Sequence, residues 1–276
     1  MIQDISPSRL DNSFRTVQSS PADSVLVFDN GSLLCCYDAE SGTLQLPYVR
    51  SSDTPDSLTY LFSIDGHCYF LGTAPTGNFA FHPMQEVRRF HVDDHRIMFA
   101  VFTAYHLWKW YSTNRFCGAC GHPMQHSTTE RALLCPDCGN IVYPRINPAV
   151  IIGVTNGERL LITRYRRGYV HNALVAGFTE IGETAEETVS REVMEEAGLH
   201  VKHIRYYKSQ PWGVASDLLL GFFCEVDGDD TIRMDKSELK YAAWLRPEEI
   251  ELQPNNYSLT NEMMRVFKEG RMPALH

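Results

Sequence analysis

No stretch of this 276-residue chain is apolar for long enough to span a bilayer. The opening MIQDISPSRL lacks the basic segment and following apolar run of an export signal, so a cytoplasmic protein is expected. A basic excess is missing too. The 25 Lys and Arg stand against 34 Asp and Glu, a formal net charge of −9, which argues against a basic nucleic-acid surface as the main design. His67, His82, His91 and His95 share no ligand spacing and read as structural or surface residues. Of eight cysteines, Cys35, Cys36, Cys68 and Cys224 are scattered and read as small buried hydrophobes rather than disulfide partners. With 43% hydrophobic and 21% charged residues, the composition is that of an ordinary soluble protein, long enough for about two domains.

The other four cysteines do have a spacing. Cys117-Gly-Ala-Cys120 and Cys135-Pro-Asp-Cys138 lie fourteen residues apart, and each pair is followed by a glycine, Gly121 or Gly139. Four soft thiolates suit tetrahedral Zn2+ and leave no open position, so Cys117, Cys120, Cys135 and Cys138 are expected to hold a structural zinc. A redox dithiol would normally be a single pair. Residues 114–143 resemble a zinc ribbon. The segment is poor in Lys and Arg, which favours bracing between domains over nucleic-acid contact.

Before the ribbon, residues 1 to about 90 read as short, mostly antiparallel strands. Ser24–Phe28 and Leu33–Tyr37 flank Asp29-Asn30-Gly31, and 58–64 and 68–71 flank Asp65-Gly66, two hairpin signals. A helix is expected from about Val92 to Ser112, capped by Asp93 or Asp94, its aromatics serving as packing. After the ribbon, 149–154 and 160–164 read as a hairpin about Asn156-Gly157. The basic cluster Arg164, Arg166, Arg167 suits either a solvated loop or phosphate contact. Strands are expected at 204–208 and 218–226, another just after Glu238, and a last helix at 258–269.

The most informative stretch is 177–199, GFTEIGETAEETVSREVMEEAGL. Thr184 followed by Glu187 is a capping box, predicting a helix from about Ala185, with Gly198 as its stop. Glu192, Glu195 and Glu196 then share one helical face. Three like charges on one face suit a hard divalent cation, which takes carboxylate oxygens and completes its shell with water and phosphates.

Gly177, Glu183, Arg191, Glu192, Val193, Glu195, Glu196, Gly198 and Leu199 fill every fixed place of the Nudix box. The segment resembles the Nudix hydrolase family without a departure. The resemblance implies a loop–helix–loop that binds catalytic Mg2+ or Mn2+ and cuts a pyrophosphate linked to a nucleoside. It makes Glu192 and Glu196 metal ligands and Glu195 a further ligand or the base. Glu183 and Arg191 orient the loop and helix.

A zinc ribbon before the box, with Ser209-Gln210-Pro211-Trp212 after it, resembles the NADH pyrophosphatase subgroup. By that resemblance the fold is α+β. It comprises an N-terminal mixed or antiparallel domain (1–112), the ribbon (113–145) and a C-terminal Nudix α/β/α sandwich (146–276). The implied reaction converts NADH or NAD+ to AMP and nicotinamide mononucleotide. Further metal contacts are implied at Glu238 and the Ala176 carbonyl. Substrate contacts are implied at Tyr143, Phe178, Gln210, Pro211, Trp212 and Ser216, in a homodimer. Gly213-Val214-Ala215 replaces the subgroup's Pro-Phe-Pro, which keeps ADP-ribose and dinucleoside polyphosphates as alternative substrates. NAD-capped RNA is the remaining alternative.

Overall fold

The computed structural model describes residues 1–50, 53, 57–74, 77–167 and 171–272. The chain divides into two compact units. One comprises Ile2–Arg145 with Trp212–Ser216; the other comprises Met1, Ile146–Pro211 and Asp217 onward.

In the first unit, strands β1 (Leu10–Asp11), β2 (Ser24–Leu26), β3 (Phe28–Asp29), β4 (Ser32–Asp38), β5 (Thr43–Gln45), β6 (Thr59–Ile64), β7 (His67–Leu71) and β8 (Ala80–Pro83) form two sheets. One has the order β1-β6-β7-β2; in the other β4 pairs with β3, β5 and β8. β6 and β7 form the expected hairpin, with Asp65 and Gly66 both at positive φ. The first hairpin is much shorter than its turn signal suggests. Only Phe28–Asp29 folds back on β4, while β2 leaves to pair in parallel with β7. The cause is tertiary: Val25, Val27, Leu34 and Phe70 share one buried cluster, and β2 gains more by joining β7 than by extending the turn.

A short helix α1 (Met84–Val87) precedes α2 (His95–Thr113), which Asp94 caps by accepting from the Arg96 N–H. α2 is buried on more than one side, from Met98 and Val101 to Leu107 and Trp110. Its aromatics pack as expected: Tyr105 and Trp108 both lie 5.4 Å from the Phe28 ring.

The ribbon adds three two-residue strands, β9 (Gln125–His126), β10 (Leu133–Leu134) and β11 (Ile141–Val142), in the order β11-β10-β9. Within this unit it is tied to the N-terminal strands. Arg131 donates to the side chain of Asn12 and to the Leu61 carbonyl, and Tyr111 stacks on His126 at 4.7 Å.

In the second unit, β12 (Asn147–Asn156), β13 (Arg159–Tyr165), β14 (Val175–Phe178), β15 (Val201–Trp212), β16 (Asp217–Val226) and β17 (Leu239–Leu245) form one mixed sheet. Its order is β15-β16-β12-β13-β17, and β14 lies on the first half of β12. β12 is buried almost throughout, the mark of a strand covered on both faces. It pairs in parallel with β16 over nine residues, from Asn147↔Asp217 to Thr155↔Glu225. α3 (Ala185–Ala197) packs on one face of the sheet through Val189, Val193 and Ala197, against Val150, Ile152 and Phe222. α4 (Leu259–Lys268) covers the face where Gly153 and Gly221 leave room for Met263. This is the expected α/β/α sandwich.

Candidate active site

α3 begins and ends where its sequence predicts. Thr184 accepts from the Glu187 N–H at 3.2 Å and Glu187 accepts from the Thr184 N–H at 2.8 Å. Gly198, at φ 67°, closes the helix in the left-handed conformation. The burial of Val189 and Val193, each contributing about 2 kcal/mol, seats α3 firmly enough to carry a carboxylate into the interior with it.

That carboxylate is Glu196, 3% exposed. Glu192 lies beside it, half-buried, and Glu195 stands at the exposed rim. Burial, with repulsion from Glu238 and Glu192, pushes the Glu196 carboxyl up to about 8. Burial likewise raises Glu192, against the pull of Arg191. Two carboxyl groups that resist ionisation, beside the repelling charge of Glu238, are a donor set short of positive charge. Hard oxygen donors of this kind fit Mg2+ or Mn2+. Among the described residues, the groups of three or more whose donor atoms all lie within 4.8 Å of one another are cysteine-based and in the ribbon, so no three of the carboxylates meet that spacing.

Arg191 fixes the loop to the helix. Its Nε and Nη2 grip Glu183 at 2.6 and 3.0 Å, and Nη2 also donates to the Phe178 carbonyl at 2.8 Å. Nη1 reaches Glu192 at 2.7 Å and Glu195 at 3.0 Å. The guanidinium holds the Glu183 carboxyl down to about 2. Thr188 Oγ1 donates to the same carboxylate at 3.0 Å, a brace that the sequence pattern does not include.

β14 supplies the floor. Gly177 pairs with Val150, and a Cβ placed on it would meet Glu192 Cδ at 1.9 Å and both carboxyl oxygens within 2.3 Å. The glycine is required by the carboxylate above it, because its φ is not in the left-handed region. Gly177→Ala should therefore displace Glu192 while leaving the strand intact. Turnover is expected to fall by about 100-fold for a shift near 1 Å, with little change in melting temperature. Steady-state rates and thermal melts of the variant check this. Next in β14, the backbone at Ala176 hydrogen-bonds the Glu196 carboxylate, and the Phe178 ring is more than half exposed.

A second residue on this site, besides Thr188, has no counterpart in the sequence pattern. Tyr165, the last residue of β13, directs its hydroxyl at both oxygens of Glu196, 3.1 and 3.3 Å away. Burial raises the phenol well above its ordinary value. In sequence it reads as one more strand aromatic, and nothing local marks it.

In the first unit the four ribbon thiols converge. All four Sγ atoms lie within 4.8 Å of one another, with Cys117–Cys138 at 3.6 Å and Cys120–Cys135 at 3.4 Å. A tetrahedron with Zn–S of about 2.3 Å has edges of about 3.8 Å, so the set fits zinc. The two knuckles are copies in geometry. Gly121 and Gly139, at φ 79° and 73°, donate back to the Cys117 and Cys135 carbonyls at 2.8 and 3.1 Å. Backbone N–H groups of Ala119 and Cys120 hold the Cys117 thiol down to about 6.

The substrate residues expected from the sequence are distributed over both units. Gln210 is fully buried in the second unit. Its amide donates to the Tyr257 carbonyl at 2.7 Å and accepts from the Leu259 N–H at 2.6 Å, which fixes the start of α4. Pro211 is exposed in the same strand. Tyr143 and Trp212–Ser216 belong to the first unit. Tyr143 is exposed, with its hydroxyl on Glu130. Trp212 packs edge-on against Phe102 at 5.3 Å, under the Arg88 guanidinium at 5.6 Å. Ser216 turns the chain at φ 68°. A Cβ at Gly213 would lie 1.9 Å from the Phe102 carbonyl oxygen, so this stretch is pressed on α2 as no larger residue allows. Gly213→Ala should cost about 1–3 kcal/mol, read as a lower denaturation midpoint.

Among the described residues, no helix is long and apolar enough to cross a membrane. Residues 145–267 match the family description "NUDIX domain", and residues 112–143 match "NADH pyrophosphatase zinc ribbon domain". The NAD-capped RNA hydrolase NudC of Salmonella typhi is 39% identical over 175 residues, 63% of this chain and 67% of that protein. The protein of the same name from Citrobacter koseri is 44% identical over 149 residues, 53% of this chain; the match spans only 57% of the relative's length. Among solved structures, a NUDIX hydrolase from Nitrosomonas europaea aligns with TM-score 0.51 at 22% identity. The alignment covers 59% of this chain and 96% of that one, a likeness of fold.

Proposed function

Since the chain belongs to the Nudix hydrolases that carry an NADH pyrophosphatase zinc ribbon, we propose that it hydrolyses the pyrophosphate bond of NADH or NAD+. The products are AMP and the corresponding nicotinamide mononucleotide. The observation that carries this reading is buried Glu196 with half-buried Glu192 on a helix braced by Arg191, in a chain that also carries the ribbon. We assign residues 1–112 to an N-terminal domain, 113–145 to the ribbon and 146–276 to the Nudix domain of a cytoplasmic homodimer.

Glu192 and Glu196, with Glu238 and the Ala176 carbonyl, would hold Mg2+ or Mn2+. When bound, the metal neutralises the diphosphate and activates the attacking water. The residues of the chain do the rest. Arg191 keeps Glu192 and the end of β14 at Phe178 in one arrangement. Glu195, at the exposed rim and paired with Arg191 Nη1, is the carboxylate proposed to take the proton from water. Addition of that water to phosphorus breaks one bridging P–O bond, and the leaving phosphate departs as the mononucleotide. Phe178, exposed beside Gly177, offers a ring to the base or nicotinamide. Gln210 acts from beneath, by fixing α4. Cys117, Cys120, Cys135 and Cys138 would hold a structural Zn2+.

A second reading keeps the chemistry and enlarges the substrate. The relatives' name, NAD-capped RNA hydrolase, favours the same bond at the 5′ end of an RNA. The Gly213–Ala215 departure keeps ADP-ribose in play. Product analysis with NADH, NAD+, ADP-ribose and NAD-capped RNA, each with Mg2+ or Mn2+, tests these together. Release of AMP plus reduced mononucleotide fastest from NADH bears out the proposal. Faster cleavage of ADP-ribose or of the cap would transfer the assignment to that substrate.

A further inference from the structure

Glu196 is buried, so its carboxylate depends on neighbouring groups for the hydrogen bonds that water gives an exposed one. The obvious cation is already occupied elsewhere: the Arg191 donors go to Glu183, Glu192, Glu195 and the Phe178 carbonyl. What meets Glu196 instead is Tyr165, whose hydroxyl lies 3.1 and 3.3 Å from the two carboxyl oxygens and 3.4 Å from the Leu174 carbonyl. The backbone at Ala176 is the other partner.

The sheet places Tyr165 deliberately. β13 and β17 pair in simple register up to Arg164↔Tyr241, and then Tyr165 pairs with Leu239, so Lys240 is the extra residue of a bulge. Such bulges re-aim side chains beside functional sites. The Arg166 N–H then bonds the Glu238 carbonyl, which ties the strand carrying Tyr165 to the residue whose charge acts on Glu196.

We propose that Tyr165 is a positioning residue for the metal site. Its phenol holds the Glu196 carboxylate in one rotamer, so that the carboxylate meets a divalent cation preoriented. The inference rests on reading Glu196 as a metal ligand. Partners that orient a ligand in this way are typically worth about 10- to 100-fold in metal affinity, far more than the loss of an ordinary internal hydrogen bond would produce in that readout.

The test is Mn2+ titration of the full-length, zinc-loaded protein without nucleotide, followed by electron paramagnetic resonance of the free ion. Tyr165→Phe keeps the ring and removes the donor; it should weaken Mn2+ binding about 10- to 100-fold while the melting temperature stays near that of the parent. Tyr207→Phe, which removes a phenol bonded to Glu262 on α4, is the matched control and should bind Mn2+ as the parent does. Glu196→Gln should lose the site. Parent-like Mn2+ affinity in Tyr165→Phe, with the site lost in Glu196→Gln, would overturn the role of Tyr165 and leave the metal reading standing. Undiminished binding in Glu196→Gln would overturn both. A Tyr165→Phe protein with a much lower melting temperature but unchanged affinity would make the bond a fold contact only, and also overturns the proposal.

Discussion

Replacing Glu196 by Gln is expected to lower turnover by about 10³-fold or more without unfolding the protein. A loss of that size corresponds to about 4 kcal/mol of transition-state stabilisation, in keeping with removal of a charged ligand rather than of a contact. The stability half of the prediction has its own sign. The Glu196 carboxyl is raised from its ordinary 4.5 to about 8, so folding favours its neutral form. Its contribution to stability is therefore full below pH 4.5 and is lost as pH rises through about 8. Gln cannot ionise. The metal-free parent should thus melt progressively lower than the variant between those limits, and the difference should close when Mn2+ is added to the parent. α3 itself stays seated, because Val189, Val193 and Ala197 are untouched. Rates, and melts from pH 5 to 9 with and without metal, check both halves. Near-parental turnover in the variant would sink the assignment of Glu196.

The second large effect concerns the ribbon, where removal of zinc or Cys135→Ser should unfold the segment. Between residues 113 and 145 the buried hydrophobic side chains are Cys117, Ala132, Leu133 and Cys135, and its strands are two residues long. Such a core cannot offset the entropy of ordering about thirty residues, on the order of 1–2 kcal/mol each. Metal-coupled folding makes up the difference: the apparent binding free energy of such structural sites, about 10–16 kcal/mol at neutral pH, is what remains after the ordering cost has been met. Metal analysis should give one zinc per chain for the parent and none for the variant. Limited proteolysis should cut the variant near Arg115 and Arg131. A variant that keeps its zinc, or a zinc-free parent that resists protease, would show that the ribbon is held by its contacts to Asn12 and Leu61 instead.

The two outcomes would differ in kind, one chemical and one structural, because the two sites differ in what surrounds them. The carboxylates sit on a helix that apolar packing secures independently. The thiols are themselves most of what their segment has to pack.

Much of this was legible in the chain. The bounds of α3, its capping box and the four-thiol spacing depend on residues within a few positions of one another, where backbone geometry leaves few choices. The box likewise marks Glu183, Arg191 and Glu192, which hydrogen bonds join in the fold, and Glu196, which feels the charge of Glu192. Contacts between distant segments were a different matter. No local signal sends β2 to β7 instead of completing its hairpin, or pairs β12 with β16 in parallel across some seventy residues. Nor does the sequence reveal that Glu196 is buried while Glu195 is not, that Tyr165 is its donor, or that Gly177 is small for the sake of Glu192. The Ser-Gln-Pro-Trp motif, read as one substrate-contact patch, is divided in the fold: Gln210 fixes α4, and Trp212 lies against Phe102 and Arg88. Spacing along the chain determined which chemistry this protein carries. Packing of remote segments decided which carboxylate is desolvated and what holds it, because burial is a property of everything that surrounds a residue and not of its neighbours in sequence.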